Sequence, residues 1–268
     1  MTDYSKDPQI QKLACSPTDF LLTGKHILVT GGGRGLGQGL ALSAALAGAT
    51  VTIVARSEEQ LEETVALGDN HGATCIAHPA DLSDVASLGN LIREISKDQP
   101  LDGVVHAAGV QVRRDSIDVT PEDWDFVQTM NIKVPFFLST QIAKTQIETG
   151  RPGSHVFVGS LNSTIGLPRI APYAASKTAL LGIARVFSTE WIRYGIRSNV
   201  IGPGYFHTQL TEDLFADEAN RTRIMGRIPA GRLGNPADLG GVSNFLLSDA
   251  STYVSGQLLN VDGGWLAS

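Results

Sequence analysis

Tyr173 and Lys177 stand four residues apart in a stretch with helical spacing, so their side chains project from one face. Thirteen residues before the tyrosine, Ser160 closes a short apolar run. A phenol has a free pKa of about 10, and a nearby ammonium stabilises the phenolate. Lowering that pKa by about two units takes about 2.7 kcal/mol, within reach of one close, partly desolvated cation. Such a phenol can give a proton to an oxygen or take one away, and a serine hydroxyl can hydrogen-bond the same oxygen. Asn131, upstream in a long helical segment, could hold a water that relays protons to Lys177. Reduction of a carbonyl needs hydride at carbon and a proton at oxygen; oxidation of an alcohol reverses both. Alone, a Tyr and a Lys at this spacing are most often a solvated helix face. Ser160 and a second motif upstream give the pair its weight.

That motif is Thr30-Gly31-Gly32-Gly33-Arg34-Gly35-Leu36-Gly37. It follows an apolar run and opens a helical pattern, so it reads as the turn of a βαβ unit. There Gly31, Gly35 and Gly37 let the backbone approach a pyrophosphate, and the amides around Arg34 and Leu36 face the phosphates. A bare glycine-rich turn is the alternative. The second run ends Val54-Ala55-Arg56-Ser57, with no acid to accept from the ribose hydroxyls. Arg56, beside Ser57 and helped by Arg34, could grip a 2′-phosphate, which predicts NADP as cofactor with NAD as the alternative. Asp81, followed by Leu82, is placed to accept from the adenine amino group; Ser83 is the better helix cap.

The elements that must position these groups alternate in period. Runs at His26–Thr30, Val51–Val54, Thr74–Ala77, Gly103–His106, His155–Val158, Ser198–Ile201 and Gln257–Val261 read as strands. Leu36–Ala47, Glu58–Leu67, Asp84–Ser96, Pro121–Ile147, Pro172–Tyr194 and Pro236–Leu247 read as helices, three of them opened by a proline in the first turn. The expectation is one doubly wound α/β Rossmann domain, residues 21–268, with a seven-stranded parallel sheet and helices on both faces. Residues 1–20 read as a flexible arm. The polar segment Phe206–Arg232 interrupts the rhythm and is placed as a substrate lid.

The chain has 268 residues and a formal net charge of -6, with no basic block, which argues against nucleic acid and anionic membranes as partners. Cys15 and Cys75 are far apart, and the six histidines show no ligand spacing, so no disulfide framework or metal site is expected. No run is apolar enough to span a bilayer and the first residues lack a signal core, so the expected setting is the cytoplasm.

With these pieces stand Ala108-Gly109, Tyr173-Ala174-Ala175-Ser176-Lys177, Pro203-Gly204 and Val261-Asp262-Gly263-Gly264. Together they resemble the short-chain dehydrogenase/reductase family from about Leu22 to Ser268. The resemblance implies an Asn131–Ser160–Tyr173–Lys177 site, a homotetramer, a cofactor bound also by Ala108, Gly109, Tyr173 and Lys177, and Pro203, Gly204 and Thr208 at the nicotinamide end. His106 stands where the family usually has Asn and is read as a bracing residue. Val110-Gln111-Val112-Arg113-Arg114, Arg227-Ile228-Pro229-Ala230-Gly231-Arg232 and Asp262-Gly263-Gly264-Trp265-Leu266 are similar to the gluconate 5-dehydrogenase and 2-deoxy-gluconate 3-dehydrogenase branch. That implies a sugar acid or polyol as substrate. An anionic substrate needs a cation, for which Arg113 and Arg169 are candidates; His207 could hydrogen-bond hydroxyls, and Asn162 joins Ser160 and Tyr173 on the substrate side. Each arginine could equally form a surface salt bridge. A 3-oxoacyl thioester or bulkier ketone is the alternative substrate, and a catalytically silent cofactor-binding regulator the alternative class.

Overall fold

The computed structural model describes residues 14–207, 215 and 217–268. Seven strands, β1 (His26–Thr30), β2 (Thr50–Ala55), β3 (Thr74–Pro79), β4 (Gly103–His106), β5 (Gly153–Val158), β6 (Ile196–Pro203) and β7 (Leu258–Val261), form one parallel sheet in the order β3-β2-β1-β4-β5-β6-β7. The helices are α1 (Gly35–Leu46), α2 (Glu58–Asp69), α3 (Leu88–Ile95), α4 (Pro121–Gln128), α5 (Val134–Thr149), α6 (Ala171–Trp191), α7 (Glu218–Met225) and α8 (Pro236–Leu247). This is the doubly wound Rossmann architecture that the alternating periods predict.

Successive residues of β1 serve opposite faces. Ile27 and Val29 join Leu40 of α1 and Leu239 of α8 in one core layer. Leu28 joins Leu88 and Ile92 of α3 and Leu138 and Ile142 of α5 in the other. A third layer seats Leu180, Ala184 and Phe187 of α6 on Phe157 and Val200. Each fully buried Leu or Ile stabilises the fold by about 1.5–3 kcal/mol. Because both faces are covered, the central strands carry unbroken apolar runs.

Strand order reverses beside β1, where β2 lies on one side and β4 on the other. The register aligns the strand ends there: Thr30 pairs with both Val54 and His106, and His106 with Phe157. The loops after β1, β4 and β5 therefore leave the sheet at one level, around the crevice where such sheets bind ligands. His106 is buried, pairs through Nε2 with Ser139 Oγ at 2.7 Å and stacks on Phe157. Burial pushes its pKa well below the usual histidine range, so the ring is a neutral brace.

Two helices differ from the sequence reading. α3 begins at Leu88, four residues later than expected, because Asp84 Oδ1 accepts from the Ala86 N–H at 3.1 Å and holds a turn instead. The single helix expected over Pro121–Ile147 is two. Pro135 has no N–H to offer the Asn131 carbonyl. The chain widens into a π turn over Thr129–Lys133, in which the Val134 N–H reaches the Thr129 carbonyl five residues back. Of the expected arm, residues 1–13 lie outside the described residues, and Pro17–Phe20 forms a 3-10 turn closed by Asp19 Oδ2 on the Ser16 N–H at 2.6 Å. In the Phe206–Arg232 segment, Asp217 caps α7, whose Ile224 is buried with Ile228, Leu161 and Trp265. Among the described residues no helix is long and apolar enough to cross a membrane, and no three His, Cys, Asp or Glu cluster as metal ligands.

Candidate active site

The glycine turn leaves β1 with Gly31 at φ +71°, and a Cβ there would lie 2.8 Å from the Ala108 backbone. A Cβ on Gly37 would collide with the Gly31 carbonyl, so α1 can approach the turn only as glycine. Arg34 is the N-cap of α1 and offers no side-chain cap, so the amides of Gly35, Leu36 and Gly37 remain available to an anion. Thr64 Oγ1 donates to the Gly32 carbonyl at 3.1 Å and braces the turn from α2. Nothing in the sequence pattern singled out Thr64, which sits one α2 turn beyond Gln60.

At the end of β2, Arg56 is exposed and Ser57 Oγ accepts from the Gln60 N–H at 3.3 Å as the cap of α2. Asp81 Oδ1 accepts from the Ser83 N–H at 2.9 Å, which with the nearby Arg56 charge holds its carboxyl below the usual range. Leu82 is buried in the core layer with Leu28 and Val54. All four residues lie on the loops flanking the crevice on the β2–β3 side.

Ser160 follows β5 and starts a short 3-10 turn, Leu161–Ser163. That turn is fastened to α6 twice: Ser163 Oγ donates to the Lys177 carbonyl at 2.8 Å, and Thr178 Oγ1 to the Asn162 carbonyl at 3.2 Å. Ser160 is thereby held against the first turns of α6, near enough to Tyr173 for its hydroxyl to pull the phenol's pKa down. Lys177 Nζ lies 5.6 Å from the Tyr173 ring centroid and donates to the Val158 carbonyl at 2.7 Å. Ser163 and Thr178 were missed in the sequence, although a Ser three residues after Ser160 is the spacing of a capping box.

Asn131 sits in the π turn. Its Oδ1 accepts from the Val110 N–H at 2.8 Å, while Nδ2 donates to the Val110 carbonyl and to Ser176 Oγ, each at 2.9 Å. Both Asn131 and Lys177 abut Gly109, whose added Cβ would be 3.3 Å from Asn131 Oδ1 and 3.4 Å from Lys177 Nζ. Asn131, Ser160, Tyr173 and Lys177 thus converge where the loops after β4 and β5 meet α6.

The expected acidity of the phenol is not built by these side chains alone. Burial pushes Tyr173 above its ordinary value, and the Ser160 hydroxyl pulls it back down. Lys177 is itself desolvated, which lowers its pKa to about 8, so its positive charge is lost above that pH.

On the open side, Arg113 is exposed in the loop after β4. Arg169 has φ +68° and pairs through Nε with Asp115 Oδ1 at 3.4 Å, while its carbonyl accepts from the Arg114 N–H at 2.8 Å. Arg169 therefore clasps the Arg113 loop to the start of α6. Tyr205 gathers three cations: burial raises its phenol, and the charges of Arg223, Arg113 and Arg227 lower it. Arg223 and Arg227 were not singled out in the sequence, since only the fold brings α7 and its flank to Arg113. His207 is exposed, with its N–H on the Gly234 carbonyl at 3.0 Å. Pro203 pairs with Val261, and the Gly204 N–H reaches the Val261 carbonyl at 2.9 Å. Thr208 lies outside the described residues.

A family model described as enoyl-(acyl carrier protein) reductase matches residues 30–266. The 2-dehydro-3-deoxy-D-gluconate 5-dehydrogenase of Dickeya dadantii is 39% identical over 251 residues, covering 92% of this chain and 98% of that protein. The gluconate 5-dehydrogenase of Gluconobacter oxydans is 36% identical over 249 residues, covering 92% and 97%. A crystal structure of a gluconate 5-dehydrogenase from Burkholderia cenocepacia in complex with NADP and tartrate has a TM-score of 0.89 at 34% identity, covering 94% of this chain and 98% of that one. A glycine turn at a strand-order reversal, a Ser–Tyr–Lys cluster beside it and matches over nearly the whole length have one common reading: the chain belongs to the short-chain dehydrogenase/reductase family and is an NAD(P)-dependent oxidoreductase acting on CH–OH.

Proposed function

We propose that this chain interconverts an alcohol and a ketone on a small sugar acid or related polyol, with NADP preferred as the dinucleotide. The observation that carries it is the convergence of Ser160, Tyr173 and Lys177 beside the Gly31–Gly37 turn. When bound, the dinucleotide supplies or accepts the hydride. Gly31, Arg34, Gly35, Leu36 and Gly37 would hold its pyrophosphate, a fit supported by the cradle that a Cβ on Gly31 or Gly37 would fill. Arg56, with Ser57, would meet a 2′-phosphate, and Asp81 and Leu82 the adenine side. Ala108, Gly109, Pro203 and Gly204 would flank the nicotinamide end.

Tyr173 gives the reacting oxygen its proton in reduction and takes it back in oxidation. Ser160 hydrogen-bonds the same oxygen. Lys177, with its lowered pKa, can pass a proton on. The Asn131 carbonyl lies opposite Pro135, which has no N–H to give it, and can hold a water for that relay. The substrate carboxylate is read by Arg113, with the charges of Arg223 and Arg227 adding to its field around Tyr205 and Arg227 stacked over Trp265. Arg169 is engaged with Asp115, so Arg113 is the stronger choice; His207 meets hydroxyls. Two relatives named for gluconate chemistry support this substrate class. A long acyl thioester would need apolar surface open to the site, whereas Ile224, Ile228, Leu161 and Trp265 are buried against one another. The reading includes a homotetramer, for which exposed Phe126 and Phe137 offer apolar surface; a sedimentation mass of a single chain would reject it.

The test is nicotinamide absorbance with sugar acids, uncharged polyols and simple alcohols. Sugar acids should give the highest kcat/KM, and Tyr173→Phe should abolish turnover while leaving NADP affinity nearly unchanged. Equal kcat/KM on a simple alcohol overturns the substrate class, and a Tyr173→Phe enzyme with a tenth of wild-type kcat overturns the proton role.

A further inference from the structure

Ser160 Oγ has more partners than a catalytic serine needs to be held in place. It accepts from the Asn162 N–H at 3.1 Å and from Asn162 Nδ2 at 3.2 Å, and it lies near enough to Tyr173 to pull the phenol's pKa down. A hydroxyl has two lone pairs and one hydrogen. With both lone pairs taken by Asn162, the hydrogen is the only capacity left for a third partner.

We infer that Asn162 is a positioning residue that fixes the polarity of Ser160: by donating twice to Ser160 Oγ, it makes the serine a one-way donor whose single hydrogen goes to Tyr173 or, in its turn, to the reacting oxygen. This rests on the roles assigned to Ser160 and Tyr173 above and adds what enforces them. A serine free to rotate can either donate to a phenol or accept from it. Donation favours the phenolate; acceptance favours the neutral phenol. Asn162 removes the second option. It is held for this task, since the residue is buried, with a relative exposure of 8%, and its carbonyl accepts from Thr178 Oγ1.

A second observation extends the role to the substrate. Asn162 Oδ1 is buried and, among the described residues, has no hydrogen-bond donor. An unpartnered buried carbonyl oxygen beside the reacting serine is a ready acceptor. It suits a hydroxyl on the carbon next to the one being oxidised, and the same amide then reads a polyol while orienting the serine.

The charged group facing the Tyr173 ring among the described residues is Lys177, on the same helix, and it is left unchanged in the test. The phenolate absorbance of Tyr173 is followed against pH in the complex with NADP, with Tyr173→Phe subtracted to remove the other tyrosines. Asn162→Ala and the nearly isosteric Asn162→Leu should each raise the pKa of Tyr173 by about one pH unit, the range of one hydrogen bond to a charged group. Ser160→Ala should raise it too, and Asn162→Leu should add nothing in the Ser160→Ala background. Thermal melting of each variant identifies any that does not fold, and Asn162→Leu decides the matter if Asn162→Ala is lost. No shift, a downward shift, or a shift that persists without Ser160 overturns the proposal. If Ser160→Ala itself leaves Tyr173 unmoved, the assigned role of Ser160 is what fails.

Discussion

Ser163 Oγ donates to the Lys177 carbonyl at 2.8 Å and accepts from the Ser160 N–H at 3.2 Å, so one hydroxyl ties the start of the serine turn to the helix of the tyrosine. Ser163→Ala leaves both buried main-chain groups short of a partner. It should destabilise the protein by about 1–3 kcal/mol and lower kcat about tenfold with little change in KM for NADP. Thermal melts and steady-state kinetics check both, and a full kcat would show that Ser160 is held without this tie.

Lys177 is 5% exposed, and burial takes its pKa from 10.5 to about 8. Between those values the unfolded chain binds the proton and the folded chain does not. Charging Lys177 therefore opposes folding fully below about pH 8, and the penalty fades as pH rises toward 10.5. Lys177→Met should be inactive yet more stable at pH 7 by about 1–2 kcal/mol, after the loss of the Val158 hydrogen bond. The gain should vanish by pH 10.5, the unshifted value. Calorimetry across pH checks this; equal melting temperatures at pH 7 would contradict the burial penalty.

Arg56 is exposed at the turn after β2, where neither Ala55 nor Ser57 supplies a carboxylate. Arg56→Ala should raise KM for NADP about 10- to 100-fold, the range of a charge-assisted contact, and leave KM for NAD unchanged. Parallel cofactor titrations decide it, since equal losses with both cofactors would remove the 2′-phosphate from the explanation.

Gly37 faces the Gly31 carbonyl with no room for a methyl group. Gly37→Ala must push α1 off the turn, at about 1–3 kcal/mol. NADPH affinity, read by fluorescence titration, should fall at least about tenfold. Wild-type affinity would mean that the turn does not hold the pyrophosphate.

The architecture was legible because period and turn chemistry agree along the chain. β1 and β4 fall on the predicted residues, and Tyr173 and Lys177 share the predicted helix. The discrepancies are physical. A proline inside a helical pattern, Pro135, was read through, yet it splits the helix at Asn131. Asp84 read as helical but bonds its own backbone. The rise in the Tyr173 pKa comes from burial of the phenol itself, and burial is invisible in sequence. Arg223 and Arg227 join Arg113 only through tertiary contact, which no local spacing encodes.

The widened turn at Thr129–Lys133 also sets the angular phase of the helix after it. Each residue advances an α-helix by about 100°. The wide turn takes up one extra residue without passing that rotation on, so Leu138 and Ile142 stay in the layer they share with Leu28. A further insertion here would rotate α5, disturbing Asn131 and a whole flank of the core together. Length between Gln128 and Val134 is thus a packing requirement for the helices on both sides of the turn.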